Sequence, residues 1–444
     1  MTMPSMQSYK SLYSNRLFIA IGLIICTNLS FSQSWLRCAY GLPQDTAVSS
    51  LAKIGNTLYA GTQHAGVYKS TDGGMTWVTT NLHNAVRMSI VKCMTTIDTF
   101  LFVGQTANGV SRTTINGSGW TTVNNGIPMG NGNQAIFDMI TIGDTLYAAS
   151  NGGGVFMSMD KGDHWTNLYA NQGLNDLNVL SLAANHHFLF AGTAGTNTTM
   201  PDTGVAFVTP LLNSNSWSVI NNGFVRNGAH LEAVSAMTAN DSLVFAGTDD
   251  VGIHRSTDNG QTWVRIPGTE LNGDIWAIKI VGNQVYYGTL YHGIFTSDDF
   301  GMTYYENNTG LNYNGISIPD LVDDFVILGS YIYAATTTGV YKQMINQISG
   351  THTNGPKTGS VSVNVFPNPF IGKTEIIILD EPQAGLIRIM IMDIFGREIR
   401  TNSDFIPGDS AHLKIDLSDM PEGVYFYYLI QDHKILHTGK LISE

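Results

Sequence analysis

One phrase recurs about seven times along the chain and constrains its fold more than any other feature. The first copy runs through Leu58–Thr62, Gly66–Tyr68 and Ser70–Trp77. A period of roughly 41 to 55 residues is typical of β-propellers, and each copy predicts four short antiparallel strands, which form one blade. We therefore predict an all-β protein. The later copies begin at Leu101, Leu146, Leu189, Val244, Val285 and Ile332.

The two ends of the repeat region predict how the ring closes. The last copy runs through Gly339–Tyr341 and then stops without a Trp-bearing strand, while an orphan segment, Ser34–Cys38, precedes the first copy. This segment is similar to the fourth strands that contain Trp77 and Trp263. We expect it to complete the last blade, because a closed ring leaves no free sheet edge. A closed seven-bladed propeller over 33–345 is therefore favoured over an open solenoid.

A tight turn with an aspartate follows the third strand in four copies. The carboxylate can accept hydrogen bonds from its own turn, and the glycine two positions later tolerates backbone angles that other residues avoid. The pattern Ser-x-Asp-x-Gly-x-Thr-Trp resembles the Asp-box of the BNR-repeat families, which include sialidases, sortilin-type receptors and some glucanases. The resemblance implies a structural role on the face away from any active site. The aspartates concerned are Asp72, Asp160, Asp258 and Asp299.

The C-terminal part has a different pattern. Residues 346–360 are rich in turn-forming residues and predict a linker, and period-two strands with Gly, Pro and Asp turns predict a small β-sandwich over 361–444. Three phrases, Pro367–Pro369, Asp393–Arg397 and Gly439–Ile442, closely resemble the type IX secretion C-terminal sorting domain of Bacteroidota. The resemblance implies the type IX machinery and its sortase as partners, and attachment to surface lipopolysaccharide. An ordinary carbohydrate-binding sandwich is the alternative.

The N-terminal residues 1–32 predict a cleaved signal peptide. Lys10 and Arg16 precede an apolar run from Leu17 to Cys26, and Ser30–Ser32 offers a small-residue cleavage point. The alternative is a membrane anchor, but the run is short for a span and no second one follows. We expect a secreted or cell-surface protein. Export permits a disulfide between Cys38 and Cys93, but buried free thiols fit their apolar strands better.

Charge and motifs restrict the function classes. Only 13% of the residues are charged and the formal net charge is −12, without a Lys/Arg stripe, so nucleic acid is not expected as a partner. No zinc-type spacing, phosphate loop or nucleophile elbow is present. No cofactor or metal is predicted; calcium on rim carboxylates lacks a recognisable ligand loop.

The best candidate for a binding site is one rim of the predicted propeller. Loops that lead into the first strands and loops between the second and third strands share this rim, and long propeller loops carry function. The fourth repeat has an enlarged loop here, Thr193–Gly204. Solvated polar loops are the alternative explanation for these residues. The candidates for ligand binding are Asp45, Arg87, Asp176, His230, Glu232, Asp249, Asp274, Tyr291 and His292.

Three functions remain open at this point. We favour a non-catalytic protein that recognises a glycan or protein through the rim, and we assign no catalytic residue. A glycoside hydrolase or lyase that uses rim carboxylates is the alternative. A sialidase is disfavoured, because the propeller lacks the arginine cluster that holds the substrate carboxylate. A structural component of a surface assembly is the third candidate.

Overall fold

A computed structural model describes residues 34–443 with gaps. The residues outside it are 1–33, 45, 81–88, 116–118, 131–134, 169–172, 196–204, 212–215, 225, 228–229, 270–272, 313–317, 319–320, 346–362, 369, 379–386, 394–397, 406–410, 419, 432–433 and 444. The predicted signal peptide and linker lie outside the described residues.

The described part of the repeat region forms seven four-stranded antiparallel sheets, as well as a two-stranded one of Arg226–Asn227 and His230–Leu231. We number the seven as sheets 1 to 7 in chain order. Sheet 1 contains Val48–Ile54, Thr57–Thr62, Val67–Ser70 and Val78–Thr79; sheet 2 contains Val91–Ile97, Phe100–Gln105, Gly109–Thr114 and Thr121–Thr122; sheet 3 contains Ile136–Ile142, Thr145–Ser150, Gly154–Ser158 and Thr166–Asn167. Sheet 4 contains Val179–Ala184, Phe188–Thr193, Ala206–Pro210 and Ser218–Val219; sheet 5 contains Val234–Ala239, Val244–Thr248, Gly252–Ser256 and Val264–Arg265; sheet 6 contains Ile275–Val281, Gln284–Thr289, Ile294–Ser297 and Tyr305–Glu306; sheet 7 contains Val322–Leu328, Tyr331–Thr336, Gly339–Met344 and Leu36–Arg37.

The first strands of the seven sheets lie side by side around a common centre. Each first strand contacts the first strand of the next sheet, and that of sheet 7 contacts that of sheet 1. Every first strand carries a register shift after its first residue, as between Ile136 and Asp138 or between Val322 and Asp324. Such a bulge increases the local twist and re-aims the side chains that follow it. The chain therefore repeats one sheet geometry seven times in its described part.

The N-terminal strand pairs with the last strand of the repeat region. Leu36 lies opposite Lys342 and Arg37 opposite Tyr341. One backbone bond extends this pairing, from Cys38 N–H to the Val340 carbonyl at 2.7 Å. A second, from Trp35 N–H to the Thr309 carbonyl at 2.8 Å, reaches the segment that follows the last strand of sheet 6. The first and last parts of the repeat region are thus joined in sheet 7.

In six of the seven sheets, a tryptophan near the fourth strand connects its sheet to the preceding one. Its indole N–H donates to a main-chain carbonyl of that sheet's last segment, at 2.7 to 3.2 Å. Sheet 6 differs, because Tyr304 replaces tryptophan there and its buried hydroxyl has no hydrogen-bond partner among the described residues. The donor and acceptor residues are Trp35 and Asn307, Trp77 and Cys38, Trp120 and Thr80, Trp165 and Val123, Trp217 and Leu168, and Trp263 and Ile220.

Two further sheets form the C-terminal part. One contains Val363–Phe366, Lys373–Ile378 and Ala411–Asp416; the other contains Glu398–Phe405, Ile387–Asp393, Gly423–Gln431 and Lys434–Ser443. Buried side chains from both sheets, among them Ile376, Ile389 and Tyr427, form one core. Asn368 of the Pro-Asn-Pro phrase accepts a hydrogen bond from the Ile442 N–H at 2.9 Å, so two phrases of the predicted sorting domain meet in space.

In the described residues no helix is long and apolar enough to span a membrane. Cys38 and Cys93 are both buried and are free thiols.

Candidate ligand-binding site

A cavity of about 980 Å³ lies where the first strands of the seven sheets meet. All seven strands contribute to its lining, so it is the central channel of the ring. The second residue of each first strand lines this channel close to the start of the strand. That end of the channel is the rim that the sequence predicts as the binding site. These seven residues are Ser49, Lys92, Phe137, Leu180, Ser235, Trp276 and Asp323.

Two channel aspartates connect neighbouring sheets. Asp138 accepts a hydrogen bond from the Leu182 N–H at 2.7 Å, and Asp324 accepts one from the Leu51 N–H at 2.8 Å. Burial raises the pKa of Asp138 to about 7 and also raises the pKa of Asp324, while these backbone donors act in the opposite direction. Because Leu51 belongs to sheet 1 and Asp324 to sheet 7, the second bond crosses the point of ring closure. Both carboxyl groups therefore have a structural use.

Asp323 is a third channel aspartate, and it differs from Asp138 and Asp324 in its hydrogen bonding. Its Oδ2 atom is buried and has no hydrogen-bond partner among the described residues. Burial raises the pKa of Asp323 to about 7, and the charge of Lys92 partly offsets this rise. The Lys92 ammonium lies 5.7 Å from the ring centroid of Trp276, which belongs to sheet 6 on the other side of the channel. A cation, a carboxyl group and an aromatic face thus meet at one level of the channel.

An acidic cluster lies on the rim of sheets 5 and 6. Asp249 accepts a hydrogen bond from the Ser235 hydroxyl at 2.6 Å, and the Asp250 N–H donates to the Asp274 carboxylate at 3.3 Å. Burial raises the pKa of Asp249, and the nearby charges of Asp274, Glu232 and Asp250 raise it further against the effect of the Ser235 bond. Three predicted candidates, Glu232, Asp249 and Asp274, therefore lie close enough to interact electrostatically.

Tyr291 and His292 occupy the neighbouring turn of sheet 6. Tyr291 has a φ of +72° and is 66% exposed, so the backbone holds a large ring in solvent in a conformation that bulky residues rarely adopt. The His292 N–H donates to the Thr289 hydroxyl at 3.1 Å, and the Leu290 N–H donates to the Asp274 carbonyl at 3.0 Å. These bonds fix the turn beside the acidic cluster.

The other predicted candidates are placed differently. Asp176 is buried and accepts a hydrogen bond from the Asn178 N–H at 3.0 Å, so its carboxylate stabilises its own turn. His230 lies in the two-stranded sheet opposite Asn227, and its side chain is outside the description. Asp45, Arg87 and most of the Thr193–Gly204 loop lie outside the described residues.

The four aspartate turns share one hydrogen-bond pattern. In the first, Asp72 accepts bonds from the Ser70 hydroxyl, the Thr76 N–H and the Thr76 hydroxyl at 2.6 to 2.9 Å. Asp258 and Asp299 accept the corresponding three bonds. Asp160 accepts bonds from the Ser158 hydroxyl and the His164 N–H, and the His164 ring nitrogen takes the place of the threonine hydroxyl. Since strands alternate in direction, the turns lie at the end of each sheet opposite the rim. We refer to them as the first, third, fifth and sixth Asp turns, by sheet number.

Metal ligands are not clustered in the described part of the chain: no group of three or more His, Cys, Asp or Glu residues there could hold an ion. Sequence reasoning missed Lys92, Trp276 and Asp323. Their signal was present, because each is a polar or large residue at the second position of a first strand, directly after a β-branched apolar residue.

Two protein families match parts of the sequence. Residues 364–444 match the secretion system C-terminal sorting domain, and residues 22–141 match the DUF6242 beta propeller domain. No curated protein matches the sequence.

Solved structures of several propeller proteins are similar to this chain. The extracellular domain of the putative one component system BT4673 from B. thetaiotaomicron is 14% identical, with a TM-score of 0.56 over 79% of this chain and 46% of that one. PorZ, described as an essential bacterial surface component of the type-IX secretion system of Porphyromonas gingivalis, is 15% identical, with a TM-score of 0.51 over 92% of this chain and 61% of that one. YCF48 from Cyanidioschyzon merolae is 12% identical, with a TM-score of 0.52 over 71% of this chain and 99% of that one.

The chain spans less than two thirds of the BT4673 domain and of PorZ, and identities this low show the fold alone. Together with the two family matches, they confirm the all-β, propeller and sorting-domain predictions. The protein is a β-propeller that carries a type IX secretion C-terminal sorting domain, which implies secretion or a location at the cell surface.

Proposed function

We propose that this protein is an exported, non-catalytic binding protein that recognises a glycan where the channel opens at the rim of sheets 5 and 6. We call this surface, which contains Trp276, Tyr291, Asp249 and Asp274, the channel mouth. In this proposal 33–345 is a closed seven-bladed propeller with Asp-box turns of the BNR type, and 361–444 is a β-sandwich that directs type IX secretion. The proposal includes a cleaved signal peptide over 1–32 and contact with the type IX machinery and its sortase.

One observation carries the choice of ligand: an exposed tryptophan lies next to a cluster of carboxylates. Trp276 is 36% exposed, and Ser235, the equivalent residue of sheet 5, holds Asp249 in place. An aromatic face offers apolar contact to the C–H groups of a sugar, and carboxylates accept hydrogen bonds from its hydroxyls. Binding sites commonly combine an apolar surface with a few such polar groups.

The exposed Tyr291 adds to this surface. Tyrosine and tryptophan supply large contact areas with a polar end, which suits a ligand that is itself both apolar and polar. The cluster of four carboxylates would repel an acidic polymer, so we expect a neutral or cationic glycan.

A glycoside hydrolase is the second candidate, and the raised pKa of Asp323 favours it. A carboxyl group with a pKa of about 7 is partly protonated at neutral pH and is suited to a general acid. However, the free Oδ2 atom of Asp323 is buried, so it is poorly placed to reach a glycosidic oxygen. We therefore prefer binding without turnover.

A glycan array combined with a polysaccharide hydrolysis assay tests both candidates. We would compare the unchanged protein with Trp276→Ala and Asp249→Asn, and use Val264→Ala, an exposed residue of the fourth strand of sheet 5, as the matched control. Binding that both mouth variants weaken and the control preserves supports the proposal. Product release that Asp323→Asn abolishes would instead identify a hydrolase. No glycan binding at all would overturn the glycan proposal and favour a protein ligand.

A further inference from the structure

One strand of the sorting domain has two buried faces. Along Gly423–Gln431, successive side chains point to opposite sides. Tyr425, Tyr427 and Leu429 belong to the core of the sorting domain, so Phe426 and Tyr428 point away from it. Tyr428 is nevertheless only 1% exposed. On the neighbouring strand Met392, paired with Phe426, is also 1% exposed although it is not part of that core.

The sixth Asp turn of the propeller covers this second face. The rings of Phe300 and Phe426 meet edge to face, with centroids 5.6 Å apart and planes at 67°. The Tyr428 hydroxyl donates a long hydrogen bond of 3.5 Å to the Asp299 carbonyl. Phe426 also packs against the buried cluster of sheets 5 and 6 that includes Phe300. Edge-to-face aromatic pairs add stability beyond the area that they bury.

Phe300 is anomalous among the four Asp turns. It has a φ of +59°, in the left-handed region that disfavours bulky side chains. The equivalent positions hold residues without a large ring, namely Gly73, Lys161 and Asn259. All four residues have a positive φ, so this conformation belongs to the turn, and the sixth turn differs in placing a large aromatic ring there. Besides its contacts within sheets 5 and 6, the ring of Phe300 contacts Phe426 of the sorting domain.

The electrostatics of the sixth turn also differ from those of its equivalents. In the first and third turns, hydrogen bonds to the exposed carboxylates lower the pKa of Asp72 and of Asp160 to about 2. Asp299 accepts the same set of bonds, yet burial raises its pKa. The carboxylate of the sixth turn is therefore more shielded from water than those of the first and third turns.

We propose that the sixth Asp turn is the docking surface for the protein's own C-terminal sorting domain. Because the Asp turns lie opposite the rim, docking leaves the channel mouth open while the domain is attached. Removal of the domain would increase the exposure of Phe300 and Asp299 to water. This inference does not depend on which ligand the channel mouth binds.

Hydrogen exchange and carboxylate titration of the full chain test this docking. Phe300→Gly relieves the strain and removes the propeller side of the contact without touching the core of the sorting domain; Phe426→Ala removes the other side. We expect both to speed exchange at the Gly301, Met302 and Thr303 amides roughly tenfold, since one aromatic contact is lost.

Two substitutions serve as matched controls: Asn259→Gly at the same position of the fifth turn, and Arg388→Ala, an exposed residue of the strand beside Phe426. We expect both to leave exchange at the sixth turn unchanged. In Phe426→Ala the pKa of Asp299 should fall below the usual aspartate range, as in the first turn. Unchanged exchange in both contact variants, with the pKa of Asp299 still raised, would overturn the proposal.

Discussion

The indole N–H of Trp263 donates a 2.7 Å hydrogen bond to the carbonyl of Ile220, which lies in the sheet before its own. Gly223 allows the two main chains to come close beside this bond, because it has a φ of +99° and an added Cβ would overlap the Trp263 carbonyl oxygen. An indole bond of this kind recurs in every described sheet except sheet 6. The tryptophans are therefore connections between sheets as well as core residues.

Replacing Trp263 by Phe should lower the free energy of unfolding by about 2 to 4 kcal/mol, because a buried carbonyl loses its donor and a smaller ring leaves a gap. Urea denaturation would measure the loss. Tyr304→Phe is the matched control, since the Tyr304 hydroxyl has no partner among the described residues, and it should be neutral or stabilising. Equal losses in both variants would contradict the role assigned to the indole bond.

Replacing Trp35 by Ala should destabilise the ring by about 3 to 5 kcal/mol, the usual loss for a large buried aromatic residue. Trp35 is 2% exposed and bonds to Asn307 of sheet 6. Deleting residues 34–38 should have a larger effect and promote aggregation, because the edge of Gly339–Met344 would be uncovered. Size-exclusion chromatography and urea denaturation would detect both changes. A deletion variant that stays monomeric and equally stable would contradict the closure.

The raised pKa of Asp323 predicts a dependence of stability on pH. An unfolded aspartate titrates near 4, while Asp323 titrates at about 7 in the folded chain. Between these values the folded state holds a proton that the unfolded state releases. The free energy of unfolding should therefore fall as pH rises from about 4 to 7, by up to about 1.4 kcal/mol per pH unit from this group.

Asp323→Asn removes this contribution. The unfolding midpoint of the variant, followed by urea denaturation from pH 4 to 8, should depend less on pH than that of the unchanged protein. The gain in stability should be larger at pH 8 than at pH 5. Parallel pH profiles would show that Asp323 does not titrate in the proposed range.

Replacing Asp258 by Ala should affect stability and not ligand binding. Its carboxylate accepts two bonds from Thr262 and one from Ser256, all within the fifth turn. We expect a loss of about 1 to 3 kcal/mol, typical for hydrogen bonds to a charged group. Thermal unfolding gives the loss, and calorimetric titration with a glycan bound in the array tests affinity. Lost affinity in a folded variant would place the Asp turns in the binding site.

Much of the fold could be predicted because its determinants are local and repeated. The period, the glycine-aspartate turns and the orphan strand Ser34–Cys38 are visible in the sequence, and the structure pairs Leu36–Arg37 with Gly339–Met344 as expected. The sorting domain is recognisable from a few phrases, because their side chains make specific contacts such as that of Asn368 with Ile442.

The candidate site was harder to predict, because a ring brings together residues from distant repeats. Lys92 and Trp276 meet across the channel although 184 positions separate them (276 − 92 = 184). Glu232, Asp249 and Asp274 were named from their loops, and the structure places them close together. Asp176 came from the same reasoning, yet its burial depends on packing that no loop pattern reveals. The contact between Phe300 and Phe426 joins two domains and has no local signal.

The most direct test of glycan recognition at the channel mouth is a crystal structure of the protein with a glycan selected by the array. We predict a sugar ring against the face of Trp276 and hydroxyl groups within hydrogen-bond distance of Asp249 or Asp274. The Lys92 ammonium should move from that face to make room for it. A glycan bound at the Asp turns or on the sorting domain, with the channel mouth empty, would contradict glycan recognition at the channel mouth.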